Sequence, residues 1–159
     1  MDSNQQFHTV RGYQLIEQNK KLLTSSMEDY LEMIFRNSLE EGYIRINELA
    51  ELLNVQAPSA TKMVQKLTQL GLLDYKKYGI IFLTENGKEI GKFLYERHAV
   101  IENFLKHLGV SESVLVETEL IEHNITASTL HKIDLLNKFL EKYPEVAEKF
   151  KEFEGTQLK

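Results

Sequence analysis

The chain has 159 residues, a length that suits one compact domain or two small domains sharing an interface. Its hydrophobic content of 42% and charged content of 27% are those of an ordinary globular protein, without low-complexity tracts. The absence of cysteine excludes disulfides and thiolate metal sites. We expect a cytoplasmic protein, because the sequence shows neither a secretory signal nor an apolar run near the roughly 20 residues needed to span a bilayer.

The beginning of the chain predicts an extension followed by one amphipathic helix. Residues 1–9 have no periodicity, whereas residues 10–23 carry a weak apolar pattern that predicts an added helix or an extension of the next one. Ser25 and Glu28 have the spacing of a capping box and start a stronger helix. We expect Gly42 to end this element.

Residues 46–84 carry the pattern of two short helices followed by a hairpin. An amphipathic helix is predicted at 46–53, and a second helix, after a tight connection, at 58–70. Two short strands joined at Lys77–Gly79 follow. This order is that of a winged helix-turn-helix, whose second helix reads the major groove of DNA. The buried stripe predicted for that helix consists of Met63, Val64, Leu67 and Leu70.

The predicted reading helix and hairpin tip carry positive charge on a chain that is acidic as a whole. Four lysines and one aspartate between residues 56 and 78 give a local net charge of +3, against −5 for the whole chain. DNA affinity depends on the charge of the contacting face, so an acidic remainder is permitted; a merely solvated lysine face is the alternative. We expect base contacts from Gln56, Ala57, Pro58, Ser59 and Lys62, and phosphate contacts from Lys66, Lys76 and Lys77.

The remainder of the chain predicts four helices. Thr84 can cap a long helix to about residue 107, and Ser111 can start the next one. Thr126 or Ser128 starts a third, and Pro144 opens a short fourth helix that ends near residue 153. The buried side predicted for the third helix consists of Leu130, Ile133, Leu136 and Leu140.

These elements predict a mainly α fold with an N-terminal winged helix-turn-helix and a C-terminal helical dimerisation domain. We expect an extension at residues 1–23, the DNA-binding domain at 24–84, and a metal-binding and dimerisation domain at 85–159 that shares its metal site with the first strong helix. A chain with one reading helix usually reads two half-sites as a symmetric dimer. The expected partners are therefore double-stranded DNA and a second copy of the chain.

Three predicted helices carry carboxylates and imidazoles on one face. Oxygen-rich ligation with imidazole suits a hard or borderline divalent ion such as Mn²⁺, and two such ions would neutralise four carboxylates. Without metal the carboxylates repel one another, so metal binding would favour one arrangement of the helices and act as a switch. The candidate ligands are Asp29 and Glu32 on the first helix, His98 on the long helix, and Glu119, Glu122 and His123 on the next, with Glu102 nearby.

Other interpretations of these residues remain open at this point. Single glutamates are usually solvated surface acids, and Asp29 could simply favour the first turn of a helix. Paired carboxylates with two metals also serve hydrolysis, but the sequence offers no separate candidate for a nucleophile or a general acid, so we do not expect an enzyme. A winged-helix repressor that senses an organic ligand is a third interpretation.

Four segments in register resemble the diphtheria toxin repressor (DtxR) family, and within it the manganese-responsive branch, the manganese transport regulators. The segments are SMEDYLE at Ser26–Glu32, TKMVQKL at Thr61–Leu67, ERH at Glu96–His98 and ELIEH at Glu119–His123. The resemblance covers residues 24–143. It implies a homodimeric, metal-activated repressor of manganese uptake genes with a binuclear Mn²⁺ site on the six candidate ligands.

The resemblance also bears on the choice of metal. In the iron-responsive relatives, methionine stands at the position of Asp29 and cysteine at that of Glu119, so carboxylates at both positions favour Mn²⁺. A repressor responsive to Fe²⁺ or Zn²⁺ is the nearest alternative, and Co²⁺ and Cd²⁺ are further substitutes. The sequence departs from the family pattern in its residues before Thr24, in residues 55–57, and in ending at Lys159 without an SH3-like third domain.

Overall fold

The computed structural model describes residues 12–18 and 22–158. The predicted extension at residues 1–9, and residues 10–11 and 19–21 of the predicted 10–23 segment, lie outside the described residues. The predicted mainly α fold is confirmed, with one small antiparallel sheet. Within these residues no helix combines the length and apolar character that crossing a membrane requires. The elements are α1 (residues 12–18), α2 (Ser25–Asn37), β1 (Ile44–Arg45), α3 (Ile46–Leu52), α4 (Ala57–Gln69), β2 (Leu73–Lys76), β3 (Ile80–Leu83), α5 (Glu85–His107), α6 (Val114–Glu122), α7 (Ala127–Lys142) and α8 (Pro144–Gln157).

The chain divides into two compact units, Met1–Glu96 and Arg97–Lys159, and the division falls within α5. In the N-terminal unit the sheet has the order β1-β3-β2. Strands β2 and β3 form the predicted hairpin, closed by a 3₁₀ turn at Lys77–Gly79. Strand β1 was not predicted, because two residues are too short to show an alternating pattern.

Helices α3 and α4 form the predicted helix-turn-helix around a small apolar core. Asn54 occupies the connecting turn with φ of 52°, a left-handed conformation that asparagine tolerates. The predicted stripe of α4 needs a correction: Ala60 is fully buried, whereas Met63 and Leu70 are only partly buried. A small side chain at position 60 allows close helix approach, so the buried face is centred on Ala60, Val64 and Leu67.

The start of α2 also differs from the prediction. Thr24, not Ser25, is the N-cap, since the Thr24 hydroxyl accepts the backbone N–H of Met27 at 3.3 Å and Ser25 already lies within the helix. The helix ends at Asn37, before Gly42. In the preceding segment, α1 packs on α5: the Tyr13 and Phe93 rings lie 6.0 Å apart, as expected if residues 10–23 contain an added helix.

In the C-terminal unit, α7 is held on α5 by a polar group that the sequence pattern does not reveal. Asn137 is 2% exposed. Its Nδ2 donates to the carbonyl of Val100 at 2.9 Å, and its Oδ1 lies 3.1 Å from Nδ1 of His107. Leu136, predicted to be buried, is 42% exposed, because Asn137 occupies the inner side of this turn. The helix is capped by Thr126, one of the two predicted starts.

Two helix bounds of the C-terminal unit were predicted wrongly. Helix α6 begins at Val114 after Ser113, three residues beyond Ser111, and α8 continues to Gln157. Large apolar side chains remain exposed on this unit, among them Leu115, Val116 and Leu120 of α6 and Leu135, Leu136 and Phe139 of α7. Clusters of exposed apolar side chains are typical of interfaces.

Candidate metal centre and DNA-reading surface

Glu122, the last residue of α6, is a buried carboxylate between two imidazoles. Its side chain is 2% exposed. Its Oε2 lies 3.0 Å from Nδ1 of His98 on α5, and its Oε1 lies 3.6 Å from Nε2 of His123 at the end of α6. A buried carboxylate is costly unless it is paired or hydrogen-bonded. The two imidazoles therefore account for the position of Glu122, one at each oxygen.

His98 has a carboxylate on both sides. Its Nε2 lies 3.5 Å from Oε2 of Glu102, one turn further along α5, and Glu102 is also paired with Lys106 at 2.5 Å. The imidazole of His98 is largely buried, with 12% of its side chain exposed. The ring is thus oriented by Glu122 on the inner side and by Glu102 on the outer side, the arrangement that fixes an imidazole used as a ligand.

Sequence patterns single out His98 but not its neighbour Arg97. The Arg97 side chain is 5% exposed, and its Nη2 lies 3.4 Å from Nδ1 of His123. Arg97 also falls on the apolar stripe of α5, between the buried residues Phe93 and Ile101. A cation in a buried stripe requires a buried partner. This was the available signal that Arg97 belongs to the cluster.

Asp29 and Glu32 lie on one face of α2, in the N-terminal unit. Both are partly buried, and Oε1 of Glu32 accepts a hydrogen bond from Nη2 of Arg36 at 2.9 Å. On the same helix, burial raises the pKa of the Tyr30 hydroxyl above its ordinary value.

Glu119 lies one turn before Glu122 on α6, and its side chain is exposed. Within residues 12–18 and 22–158, no hydrogen bond or ion pair joins it to His98 or His123. Two carboxylates three residues apart on a helix repel each other. This repulsion favours solvent for Glu119 while Glu122 occupies the buried position between the imidazoles.

The donor set of the C-terminal unit fits a divalent cation. One carboxylate and two imidazoles offer oxygen and nitrogen donors, and the chain has no cysteine to offer sulfur. Donors of this kind take hard or borderline ions such as Mn²⁺, Fe²⁺ and Zn²⁺. The buried pair of His98 and Glu122 is therefore the centre of a candidate metal site.

Helix α4 presents an exposed, polar and basic face. Gln56 is its N-cap residue, and Pro58 occupies the first turn, where a missing N–H costs nothing. Thr61 donates its hydroxyl to the carbonyl of Ala57 at 2.9 Å. All five predicted base-contacting residues and Lys66 are exposed: Gln56, Ala57, Pro58, Ser59, Lys62 and Lys66.

The hairpin that follows carries the two other predicted DNA contacts. Lys76 and Lys77 are both exposed at its tip. Nζ of Lys76 lies 2.8 Å from Oδ2 of Asp74 on the same strand, and both side chains are at least half exposed. A pair this exposed is weak, yet it offsets part of the Lys76 charge. Lys77 is therefore the stronger candidate for a phosphate contact.

A winged helix-turn-helix with a basic reading helix, joined to a helical unit with a buried carboxylate–imidazole cluster, defines a metal-dependent DNA-binding regulator. Two family profiles match the chain: iron dependent repressor, N-terminal DNA binding domain, at residues 22–81, and iron dependent repressor, metal binding and dimerisation domain, at residues 84–151. The chain belongs to this family, the DtxR family of metal-dependent repressors.

Curated relatives agree with this assignment. The chain is 40% identical over 135 residues to the HTH-type transcriptional regulator MntR of Listeria welshimeri, an alignment that covers 84% of this chain and 95% of the relative. It is 44% identical over 118 residues to MntR of Oceanobacillus iheyensis, covering 73% and 80% of the two chains. Both alignments therefore span most of each chain.

A solved structure described as a manganese-dependent transcriptional repressor in complex with manganese is also similar. Its TM-score is 0.64 at 29% identity over 71% of this chain. This chain spans 53% of the length of that structure, about half.

The comparisons decide between the interpretations left open by the sequence. The resemblance to the DtxR family is confirmed, and a family of transcriptional repressors is not enzymatic, which excludes the metalloenzyme. The match to a metal-binding domain favours a metal sensor over the interpretation as a sensor of an organic ligand. The dimerisation domain makes a second copy of the chain a partner, and the DNA-binding domain makes DNA a partner.

Proposed function

We propose that this chain is a Mn²⁺-activated repressor that binds operator DNA as a homodimer and controls manganese uptake and homeostasis. The observation that carries the proposal is the buried carboxylate of Glu122, which lies between His98 and His123 in a sulfur-free donor set. The MntR relatives and the manganese-complexed repressor support manganese as the metal. As a regulator of transcription in this family, the protein would act in the cytoplasm, where bacterial DNA lies.

The proposed ligands are the six that the sequence predicts, and two cations per subunit are proposed. Glu122 and the imidazoles of His98 and His123 form the core, and Arg97 and Glu102 orient the imidazoles from either side. Four carboxylates match the charge of two divalent ions, and a hard donor set favours Mn²⁺. The complete set is Asp29, Glu32, His98, Glu119, Glu122 and His123.

The proposed switch depends on where these ligands lie along the chain. Asp29 and Glu32 belong to the DNA-binding part, whereas the other four ligands belong to the metal-binding part. Bound divalent cations would supply the positive charge that neutralises the four carboxylates. Ligands from both parts would then hold the reading helix in one position, which favours the state that binds DNA. We also propose the domain division at residues 23/24 and 84/85.

Binding of Mn²⁺ itself tests the proposal. Equilibrium dialysis of the dimer against Mn²⁺ is expected to give two ions per subunit, because four carboxylates carry the charge of two divalent ions. The control is Glu117→Ala, which removes another acid of α6 that accepts from Ser113 and is not a proposed ligand. No stoichiometric metal in the unmodified protein would contradict the proposal; a single ion per subunit would exclude the binuclear site.

An Fe²⁺- or Zn²⁺-responsive repressor of the same family is the second candidate. Imidazole suits Zn²⁺, and the general affinity order places Zn²⁺ above Mn²⁺. Selectivity must therefore come from which ion activates DNA binding, rather than from which ion binds most tightly. The carboxylates at Asp29 and Glu119, where softer sulfur donors would favour iron, are the feature that favours manganese.

A further inference from the structure

Tyr78 lies at the tip of the β2–β3 hairpin, which we call the wing, and has an unusual conformation and an unusual exposure. It lies in the 3₁₀ turn between β2 and β3 with φ of 65° and ψ of 21°, in the left-handed region. Its side chain is 91% exposed. A bulky residue with positive φ is a genuine outlier, because its Cβ crowds the backbone. Glycine or asparagine would adopt the same backbone conformation with less steric strain.

The turn that holds Tyr78 packs closely against the start of α3. The next residue, Gly79, also has positive φ, 73°, and a Cβ at this position would lie 2.6 Å from Cγ2 of Ile46 at the start of α3. The wing tip is therefore seated against the helix-turn-helix. Next to this turn, Arg45 of β1 pairs with Ile80 of β3, so the hairpin is joined to β1. The exposed tyrosine thus projects from a turn that packs against α3 and adjoins the pairing of β1 with β3.

The surroundings of Tyr78 indicate an anionic partner. Lys77 precedes it in the turn, and Lys76 ends β2; both are exposed. Strained residues that a fold retains are concentrated at sites of function. Tyr78 is an exposed tyrosine beside lysines in a DNA-binding domain. Such a group suits a nucleic-acid backbone, because tyrosine hydroxyls donate hydrogen bonds to phosphate oxygens.

We propose that Tyr78 contacts the DNA backbone beside the segment that α4 reads, with its hydroxyl donating to a phosphate oxygen and its ring packing on deoxyribose. This inference rests on the proposed function. The contact adds affinity without sequence information. Because the phenol is uncharged, it adds little to the number of counterions released, unlike a lysine contact.

The test uses a labelled duplex that the wild-type dimer selects from a random library in the presence of Mn²⁺, with an unrelated duplex beside it. Tyr78→Gly is expected to weaken binding to both duplexes by at least roughly tenfold, because it removes a hydrogen bond to a charged group and also the packing of the ring on deoxyribose. For Tyr78→Gly, the slope of log Kd against the logarithm of the salt concentration should equal the wild-type slope within experimental error. Tyr78→Phe, which keeps the ring, should fall between Tyr78→Gly and wild type.

Lys77→Ala is the matched comparison in the same turn. It is expected to weaken binding and also to flatten the salt dependence by about one unit for each phosphate that the protein no longer neutralises. Tyr78→Gly should leave the melting temperature unchanged or raise it by up to about 2–4 °C, because glycine relieves the left-handed strain. Weaker binding by a protein that is equally stable or more stable distinguishes a DNA contact from a structural role.

Two results would overturn the inference: wild-type affinity in Tyr78→Gly, or a loss of affinity that parallels a drop in melting temperature. Leu39→Ala, which removes an exposed apolar side chain outside α4 and the wing, should leave binding unchanged. Failure of the proposed function looks different, since the wild-type protein would then bind the selected duplex equally with Mn²⁺ and with chelator.

Discussion

Replacing Glu122 with alanine is expected to abolish the metal response while the dimer stays folded. Glu122 is buried and contacts both His98 and His123, so its loss removes the central donor and one carboxylate contact from each imidazole. Substituting groups that merely orient ligands costs 10–100-fold in metal affinity, so loss of this carboxylate should exceed about a hundredfold. Isothermal titration with Mn²⁺ and DNA binding at fixed Mn²⁺ measure the two effects.

The isosteric variant Glu122→Gln separates charge from packing. It keeps the volume of the side chain and an oxygen for hydrogen bonding but removes the negative charge, so it should remain dimeric by sedimentation and still lose most Mn²⁺ affinity. Metal-dependent DNA binding of wild-type strength in Glu122→Gln would show that the carboxylate is not a ligand. Unfolding of Glu122→Ala alone would not decide the matter, which is why both variants are needed.

Asp29→Met is expected to change which metal activates the protein. A thioether is a soft donor and a poor ligand for Mn²⁺, whereas Fe²⁺ accepts it more readily. We expect DNA binding to respond weakly to Mn²⁺ and more strongly to Fe²⁺, a reversal of the wild-type order. The measurement is the concentration of each metal, under anaerobic conditions, that gives half-maximal DNA binding.

Asp29→Asn provides the control for this change. It keeps an oxygen donor without the charge, so the response to both metals should weaken without a reversal of their order. An unchanged Mn²⁺ response in both variants would remove Asp29 from the ligand set. A weaker response to every metal in Asp29→Met, without reversal, would keep Asp29 as a ligand and refute the selectivity argument.

The helices, the wing and the caps at Thr84 and Thr126 were predictable because each has a local signal. The Thr84 hydroxyl accepts the N–H of Gly87 at 3.1 Å, and apolar spacing shows which helices are amphipathic. The capping box at Ser25 failed because Thr24, one residue earlier, also offers a hydroxyl, and sequence spacing does not decide between adjacent hydroxyls. Strand β1 has no local signal, since its pairing with β3 is set by tertiary contact.

The candidate site was predictable in part. Same-face spacing on three helices identified His98 and Glu122, which the structure places 3.0 Å apart. The contribution of Arg97 was not predicted, because an arginine is normally solvated and only its position on the apolar stripe hints at burial. Asn137 was missed for the same reason: polar residues that bridge helices interrupt the pattern from which burial is inferred.

The central claim is that a divalent cation couples the carboxylate–imidazole cluster to DNA binding. The most direct test measures the Kd of the dimer for its selected duplex at one salt concentration, with chelator and then with Mn²⁺, Fe²⁺, Zn²⁺, Co²⁺ or Cd²⁺. We predict binding about 5- to 150-fold tighter with Mn²⁺ than with chelator, the usual range of such coupling. Equal affinity under both conditions would contradict this claim.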